Sequence, residues 1–183
     1  EQKTNISFIL AAMYDDVSRL IRFSQQFSKI GSNPKLNTIN IYDLILESVT
    51  YMQNRLSKNS GIGLSLNGNR DINILGDWIL LRWAIENVFT NAIDAIGTGA
   101  GEILVVIVKK NENVLRIDIS DTGKGIPRID WKNIFRPGIS SKHRGWGLGL
   151  SLTMRIIKEI HQGNIRVLRS KPGETVIRIM LPV

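Results

Sequence analysis

The stretch DTGKGIPRIDWKNIFRPGISSKHRGWGLGL, Asp121 to Leu150, constrains this chain more than any other. It links a β-rich run to a helical one and carries glycine clusters at both ends: Gly123 and Gly125, then Gly145, Gly147 and Gly149. Between them lie Phe135, a Pro137-Gly138 break, Ser140, Ser141 and the basic triplet Lys142-His143-Arg144. Glycine permits positive φ and close backbone approach. A glycine loop that opens into a helix presents N–H groups to anions. A single glycine cluster reads as a flexible surface loop; two clusters flanking one basic segment favour a phosphate cradle. The stretch is not a P-loop, because GxxxxGK[ST] is absent, and glycines at alternate positions do not make GxGxxG. His143-Arg144 is followed by glycine, so the protein-kinase catalytic loop is missing.

The rest of the chain supplies a core around this stretch. Its 183 residues suffice for one core plus an appendage. Cysteine is absent and only two histidines occur, which argues against disulfides and zinc. No apolar run reaches the ~20 residues of a membrane span, and the first residues are not those of a secretory signal. The net charge of +8 suits an acidic partner, but no basic-aromatic interleaving points to nucleic acid. Ile6, Leu10, Met13, Val17, Leu20 and Phe27 recur in steps of four and three, with Ser24 in the polar slot. That is an a/d seam for a long helix pairing with other helices across a dimer; packing on its own domain is the alternative. Gly31 to Pro34 breaks it, which sets domains at 1–33 and 34–183.

Helical spacing continues from Ile41 to Leu56. A strand follows at Gly61, and another over Ile72 to Leu75. Asp77 N-caps a helix that reaches about Ile96, with Leu80, Leu81, Ala84, Ile85, Val88, Phe89, Ala92 and Ile96 on its apolar face. Glu86, Asn87, Asn91 and Asp94 lie on its polar side. Asn87 and Asn91 are four apart and share a side. Asparagine is a mediocre helix former, so the pair is either a solvated stripe or a site for hydrated Mg²⁺ beside phosphates. Strands are expected over Glu102 to Lys109 and Val114 to Ser120, the second delivering Asp121 at its end. A helix from Leu148 stops at Gly163-Asn164. Ile165 to Leu168 and Thr175 to Leu181 make a closing hairpin. The fold class is α+β, a two-layer sandwich whose mixed, largely antiparallel sheet is covered on one face by helices, preceded by a dimerisation-type helix.

Four blocks, GDWILLRWAIENVFTNAIDAI, DTGKGIP, IFRPGISSK and GWGLGLSL, with the ending HQGNIRVLRSKPGETVIRIMLP, resemble the catalytic domain of sensor histidine kinases. That domain belongs to an ATPase superfamily shared with gyrase, a heat-shock chaperone and a mismatch-repair ATPase. The likeness runs from Ile41 to Val183 in the correct order, and the short lid is similar to that of nitrogen-regulation kinases. It implies ATP and Mg²⁺ as cofactors. Asp121 would accept a hydrogen bond from the adenine amino group, Gly123 and Gly125 would let the backbone pass the base, and Ile126 would pack nearby. Asn91 would be the Mg²⁺ ligand, with Asn87 in the same phosphate pocket. Ser140, Ser141 and Lys142 would approach the γ-phosphate, Lys142 offsetting its charge, so Asn87, Asn91 and Lys142 are the candidate catalytic residues. Gly145, Gly147 and Gly149 would present backbone donors, with Leu148 and Leu150 packing behind. Thr175 would support the adenine site.

Departures from the family pattern are Gly138, where a second phenylalanine would anchor the lid, and the bulky Trp146. His161 is expected to cap a helix C-terminus with favourable positive charge. No histidine precedes His143, so the resemblance implies that the acceptor histidine lies outside this chain, a fragment of a longer kinase. It further implies γ-phosphoryl transfer, a response-regulator receiver domain as partner, a homodimer through the N-terminal helix, and a cytoplasmic domain whose parent can be membrane-anchored. The alternatives are an ATPase or conformational clamp of the same superfamily and a degenerate nucleotide-binding module. A glutamate stands at the position of Asn87 in gyrase-type relatives, and an amide cannot act as a general base, which speaks against hydrolysis.

Overall fold

The computed structural model describes residues 13, 14, 17, 34–56, 60–139 and 147–183. Contacts divide the chain into Glu1–Pro34 and Lys35–Val183, and the fold below is that of the second unit. Of the N-terminal seam, only Met13 and Val17 fall among the described residues, both helical and exposed; Ile6, Leu10, Leu20, Ser24 and Phe27 lie outside them.

The elements are β1 (Asn37–Asn40), α1 (Ile41–Arg55), β2 (Ile62–Gly68), β3 (Asn73–Gly76), α2 (Trp78–Ile96), β4 (Gly101–Asn111), β5 (Val114–Asp121), α3 (Gly149–Arg155), β6 (Asn164–Lys171) and β7 (Glu174–Pro182). A five-stranded sheet runs β2-β4-β5-β7-β6. Only β2 and β4 are parallel, and the connection between them includes α2; the remaining pairs are antiparallel. β1 and β3 form a separate antiparallel ribbon. The expected mixed, largely antiparallel sheet is present. The ribbon partner β1 was not expected, since NTIN offers a single inward apolar residue, Ile39.

Two periodicities make the core. In the sheet, alternation sends Ile103, Val105 and Ile107 of β4 and Leu115, Ile117 and Ile119 of β5 inward, opposite Ile177, Ile179 and Leu181 of β7. In the helices, α1 buries Ile41, Leu44, Ile45, Ser48, Val49 and Met52, and α2 buries Leu80, Leu81, Ala84, Ile85, Val88, Phe89 and Ala92. α2 packs over β4 and β5, and α1 over β2. The other sheet face holds Arg178 against Asp118 in a bidentate pair at 2.7 Å.

Caps fall where the side-chain chemistry demands. Asn40 accepts from the N–H groups of Tyr42 and Asp43, and Asp77 from those of Ile79 and Leu80. Arg82 bridges Glu47 of α1 and Glu86 of α2. The last helix is not one continuous α-helix. α3 ends at Arg155 and continues as a π-helical turn, Ile156–Ile160. Gln162, with φ of 52°, makes the left-handed step after it; Gly163 instead gives close passage past the Met180 carbonyl. Among the described residues no helix is long and apolar enough to cross a membrane.

Phe89 is fully buried at the centre of α2. Phe89→Ala is expected to lower unfolding free energy by about 3–5 kcal/mol, read as a shifted urea midpoint at unchanged slope.

Candidate functional site

The alternation that buries Ile117 and Ile119 also turns Asp121 inward at the end of β5. The residue is only 7% exposed, and the loop that follows it meets the C-terminal end of α2. Thr175 of β7 stands opposite it in the register and is 2% exposed. Asp121 Oδ1 accepts the Gly123 N–H at 2.9 Å. Burial pushes the carboxyl above its ordinary range, and that one N–H only partly offsets the push. No hydrogen bond among the described residues takes up Oδ2.

The loop after Asp121 is held by neighbouring backbone. Lys124 N–H donates to Ala95 O at the end of α2, and Gly173 N–H donates to Gly123 O. A Cβ at Gly123 would come within 2.6 Å of the Ala95 backbone. At Gly125, where φ is 82°, it would meet Lys171 at 2.7 Å. These glycines are therefore demanded by the packing of α2 and the β6–β7 turn, independently of any ligand. Ile126 N–H donates to Ser170 Oγ at 2.7 Å, and Trp131 Nε1 donates to Ile126 O at 3.0 Å. In the sequence Ser170 is distinguished only by its place two residues before a Pro-Gly turn.

The second wall comes from α2 and α3. The Asn91 side-chain amide donates to Asn87 O at 2.9 Å. Asn87 Nδ2 reaches Gly149 O at 3.4 Å. Thr153, fully buried, donates to Gly149 O at 3.0 Å and approaches Ala84 O at 3.4 Å. Among the described residues no side chain caps the first turn of α3, whose leading N–H groups, as in any helix, have no intrahelical acceptor. Gly147, with φ of 65°, packs against Gly138 and accepts its N–H at 3.1 Å. Gly138 thus anchors one end of the lid by backbone pairing, where the family pattern has a second phenylalanine. Leu148 and Leu150 are half-buried, and Leu152 is buried. Ser140, Ser141, Lys142, His143, Arg144, Gly145 and Trp146 lie outside the described residues.

Glu86 points elsewhere, as its offset of one residue implies, and pairs with Arg82 at 2.8 Å. No cluster of three carboxylate, histidine or cysteine ligands occurs among the described residues. An amide oxygen on Asn91 beside Asn87 nevertheless fits Mg²⁺, which keeps several waters and takes phosphate oxygens for the rest of its shell.

His161 corrects one expectation. It is 3% exposed, Nε2 accepts the Asp77 N–H at 3.0 Å, and Nδ1 donates to Ile156 O at 2.8 Å. The ring is a neutral strut between the start of α2 and the π turn. Burial lowers its pKa, against the opposing effects of the Ile156 carbonyl and the Asp77 charge. A depressed folded value means its stabilisation is complete above ~6.5 and is lost as pH falls through the folded value. The melting temperature is expected to drop over that acid window, with a flatter profile for His161→Gln in the same buffers.

A family model described as histidine kinase-, DNA gyrase B- and HSP90-like ATPase matches residues 76–183. The sensory histidine kinase/phosphatase NtrB of Rhodobacter capsulatus is 30% identical over 190 residues, covering 92% of this chain and 50% of NtrB. The signal transduction histidine-protein kinase AtoS of Escherichia coli is 32% identical over 168 residues, covering 91% of this chain and 26% of AtoS. The chain thus spans half or less of the length of these relatives. The nucleotide-free catalytic domain of the histidine kinase ThkA superposes with a TM-score of 0.72 at 25% identity, over 80% of this chain and 95% of that domain. ThkA in complex with the response regulator protein TrrA gives 0.75 at 22% identity, over 92% of this chain and 48% of ThkA, a likeness of fold alone. The chain belongs to the histidine kinase-, DNA gyrase B- and HSP90-like ATPase family, and its described core is the ATP-binding domain of a sensor histidine kinase.

Proposed function

We propose that this domain positions Mg²⁺-ATP for transfer of the γ-phosphoryl group to a histidine outside the chain, and that the phosphoryl then passes to a response-regulator receiver domain. The observation that carries the reading is Asp121: a buried carboxylate at a strand end, with one oxygen committed to Gly123. A carboxylate is an acceptor only, so it selects the adenine amino group over the guanine carbonyl. Asn87, Asn91 and the N–H groups at Gly147 and Gly149 take the phosphate end, with Gly145, Ser140, Ser141 and Lys142 completing it from the lid. Asn91, with Asn87 beside it, would hold Mg²⁺, whose charge offsets that of the phosphate oxygens. The protein's part is placement and charge stabilisation.

Residues 1–33 belong to a dimerisation and phosphotransfer region, supported by the a/d seam, and make a homodimer. The receiver partner draws support from the ThkA complex. The domain works in the cytoplasm.

Asp121→Asn tests the site. The amide oxygen can still take the Gly123 N–H, but its nitrogen faces the adenine amino group. Calorimetry is expected to show ATP affinity lower by on the order of 100-fold. The free variant should melt no lower than wild type, because the raised folded pKa means ionised Asp121 detracts from stability at neutral pH. Unchanged ATP affinity would remove the adenine assignment. Incubated alone with γ-labelled ATP, the chain is expected to gain no acid-labile phosphate, as an acceptor outside it requires; of its two histidines, His161 is buried with both ring nitrogens engaged. Label on the chain would contradict an acceptor lying elsewhere.

A further inference from the structure

Ser170 of β6 lies in register with Thr175 of β7, and Thr175 in turn with Asp121 of β5. Its Oγ accepts the Ile126 N–H at 2.7 Å and lies 2.8 Å from Thr175 Oγ1. A serine hydroxyl has one proton and two acceptor positions. The backbone of Ile126 fills one acceptor position. Among the described residues, Thr175 Oγ1 is the acceptor its proton can reach. The Ile126 N–H donates to Ser170, while in the Ser170–Thr175 pair either hydroxyl can be the donor; the donor's proton is spent on the pair and the acceptor's is left over.

Direction matters because of what it leaves over. When Thr175 accepts from Ser170, it is left with a proton to donate. Next to it stands Asp121, which can only accept. The two strand ends thus set a donor beside an acceptor. Adenine presents the matching edge, an amino donor next to a ring-nitrogen acceptor. Guanine and hypoxanthine present the opposite one, a carbonyl acceptor next to a ring N–H.

We propose that Ser170 is a specificity-determining positioning residue: by donating to Thr175 it holds that hydroxyl as a donor toward the purine ring, so that Asp121 and Thr175 together read adenine. The proposal rests on the Asp121 assignment above. A water between Thr175 and the ring preserves it, since water relays the same donor sense. Ser170 also tethers the loop at Ile126, and a purely structural role would act through that tether, weakening every nucleotide alike.

Calorimetry on the 183-residue chain with ATP, GTP and ITP, and displacement of ATP by the other two, separates these roles. Ser170→Ala is expected to lower ATP affinity about fivefold to tenfold and to leave GTP and ITP affinity unchanged or tighter, narrowing the adenine preference. Ser170→Thr keeps the hydroxyl and should restore the preference. Thr175→Val removes the donor and leaves Ser170 on Ile126; it should narrow the preference equally, and Ser170→Cys, a weak donor of similar size, replaces Ser170→Ala if that variant does not fold. An equal loss for all three nucleotides, or an unchanged preference in Ser170→Ala and Thr175→Val, overturns the relay. A wild-type chain that binds ATP no better than GTP or ITP overturns the adenine assignment itself, so the two failures are distinguishable.

Discussion

A carboxylate held out of water at the end of β5 is the constraint around which the molecule is arranged. Strand alternation gives Asp121 no choice of face: inward residues at 115, 117 and 119 put 121 inward too. An ionised group there is costly, and one N–H bond from Gly123 does not cancel the cost. If stability alone decided the position, a hydrophobic residue would serve better. The cost is also what makes the position discriminating. An acceptor without a full set of donors favours a ligand that supplies one and rejects a ligand that brings a second acceptor.

Among the described residues, the surrounding chain holds that acceptor by one oxygen, through the Gly123 N–H. Gly123 and Gly125 are squeezed between the end of α2 and the β6–β7 turn, so the loop cannot swing without unpacking both. α2 has a second duty. Its apolar face is buried, and Asn87 on its polar side reaches Gly149 at the start of α3. Three polar ties cross between α2 and the segment from Gly149 to His161: Asn87 to Gly149, Thr153 to Ala84, and His161 to Asp77. Thr153 and His161 are buried where hydrophobes would pack, and satisfied polar pairs of this kind specify one register among several of similar apolar burial. The distance from Asn91 to the glycine turn at the start of α3 is thereby set by rigid elements.

Much of this was legible because it follows from period and capping. The α2 core stripe, the Asp77 cap, the strands ending at Asp121 and beginning near Thr175, and the mixed sheet all come from local patterns read one element at a time. What was not legible depends on a distant partner. β1 pairs with a strand over thirty residues away and has almost no apolar signal of its own. The charge state of His161 is decided by burial under elements from both halves of the domain, and the sequence suggested only a helix end. Glycine positions were visible, but not whether a ligand or the neighbouring chain required them; at 123 and 125 the neighbouring chain does. Ser170 became meaningful only once the sheet register placed it between Ile126 and Thr175.

The amide at position 87 bears on which nucleophile the proposed reaction can use. Water or a hydroxyl needs a base to remove its proton, and an amide nitrogen or oxygen is no base at neutral pH. The neighbouring carboxylate cannot substitute, because Glu86 turns along the helix to Arg82. A neutral imidazole needs no such help: with an ordinary pKa of ~6.5 it carries a free lone pair at physiological pH. A phosphate pocket walled by amides and backbone N–H groups therefore favours a nucleophile that arrives already deprotonated, and disfavours bulk water competing for the same phosphorus. On that argument the replacement of a basic side chain by Asn87 is the selective step, separating transfer to a histidine from futile hydrolysis.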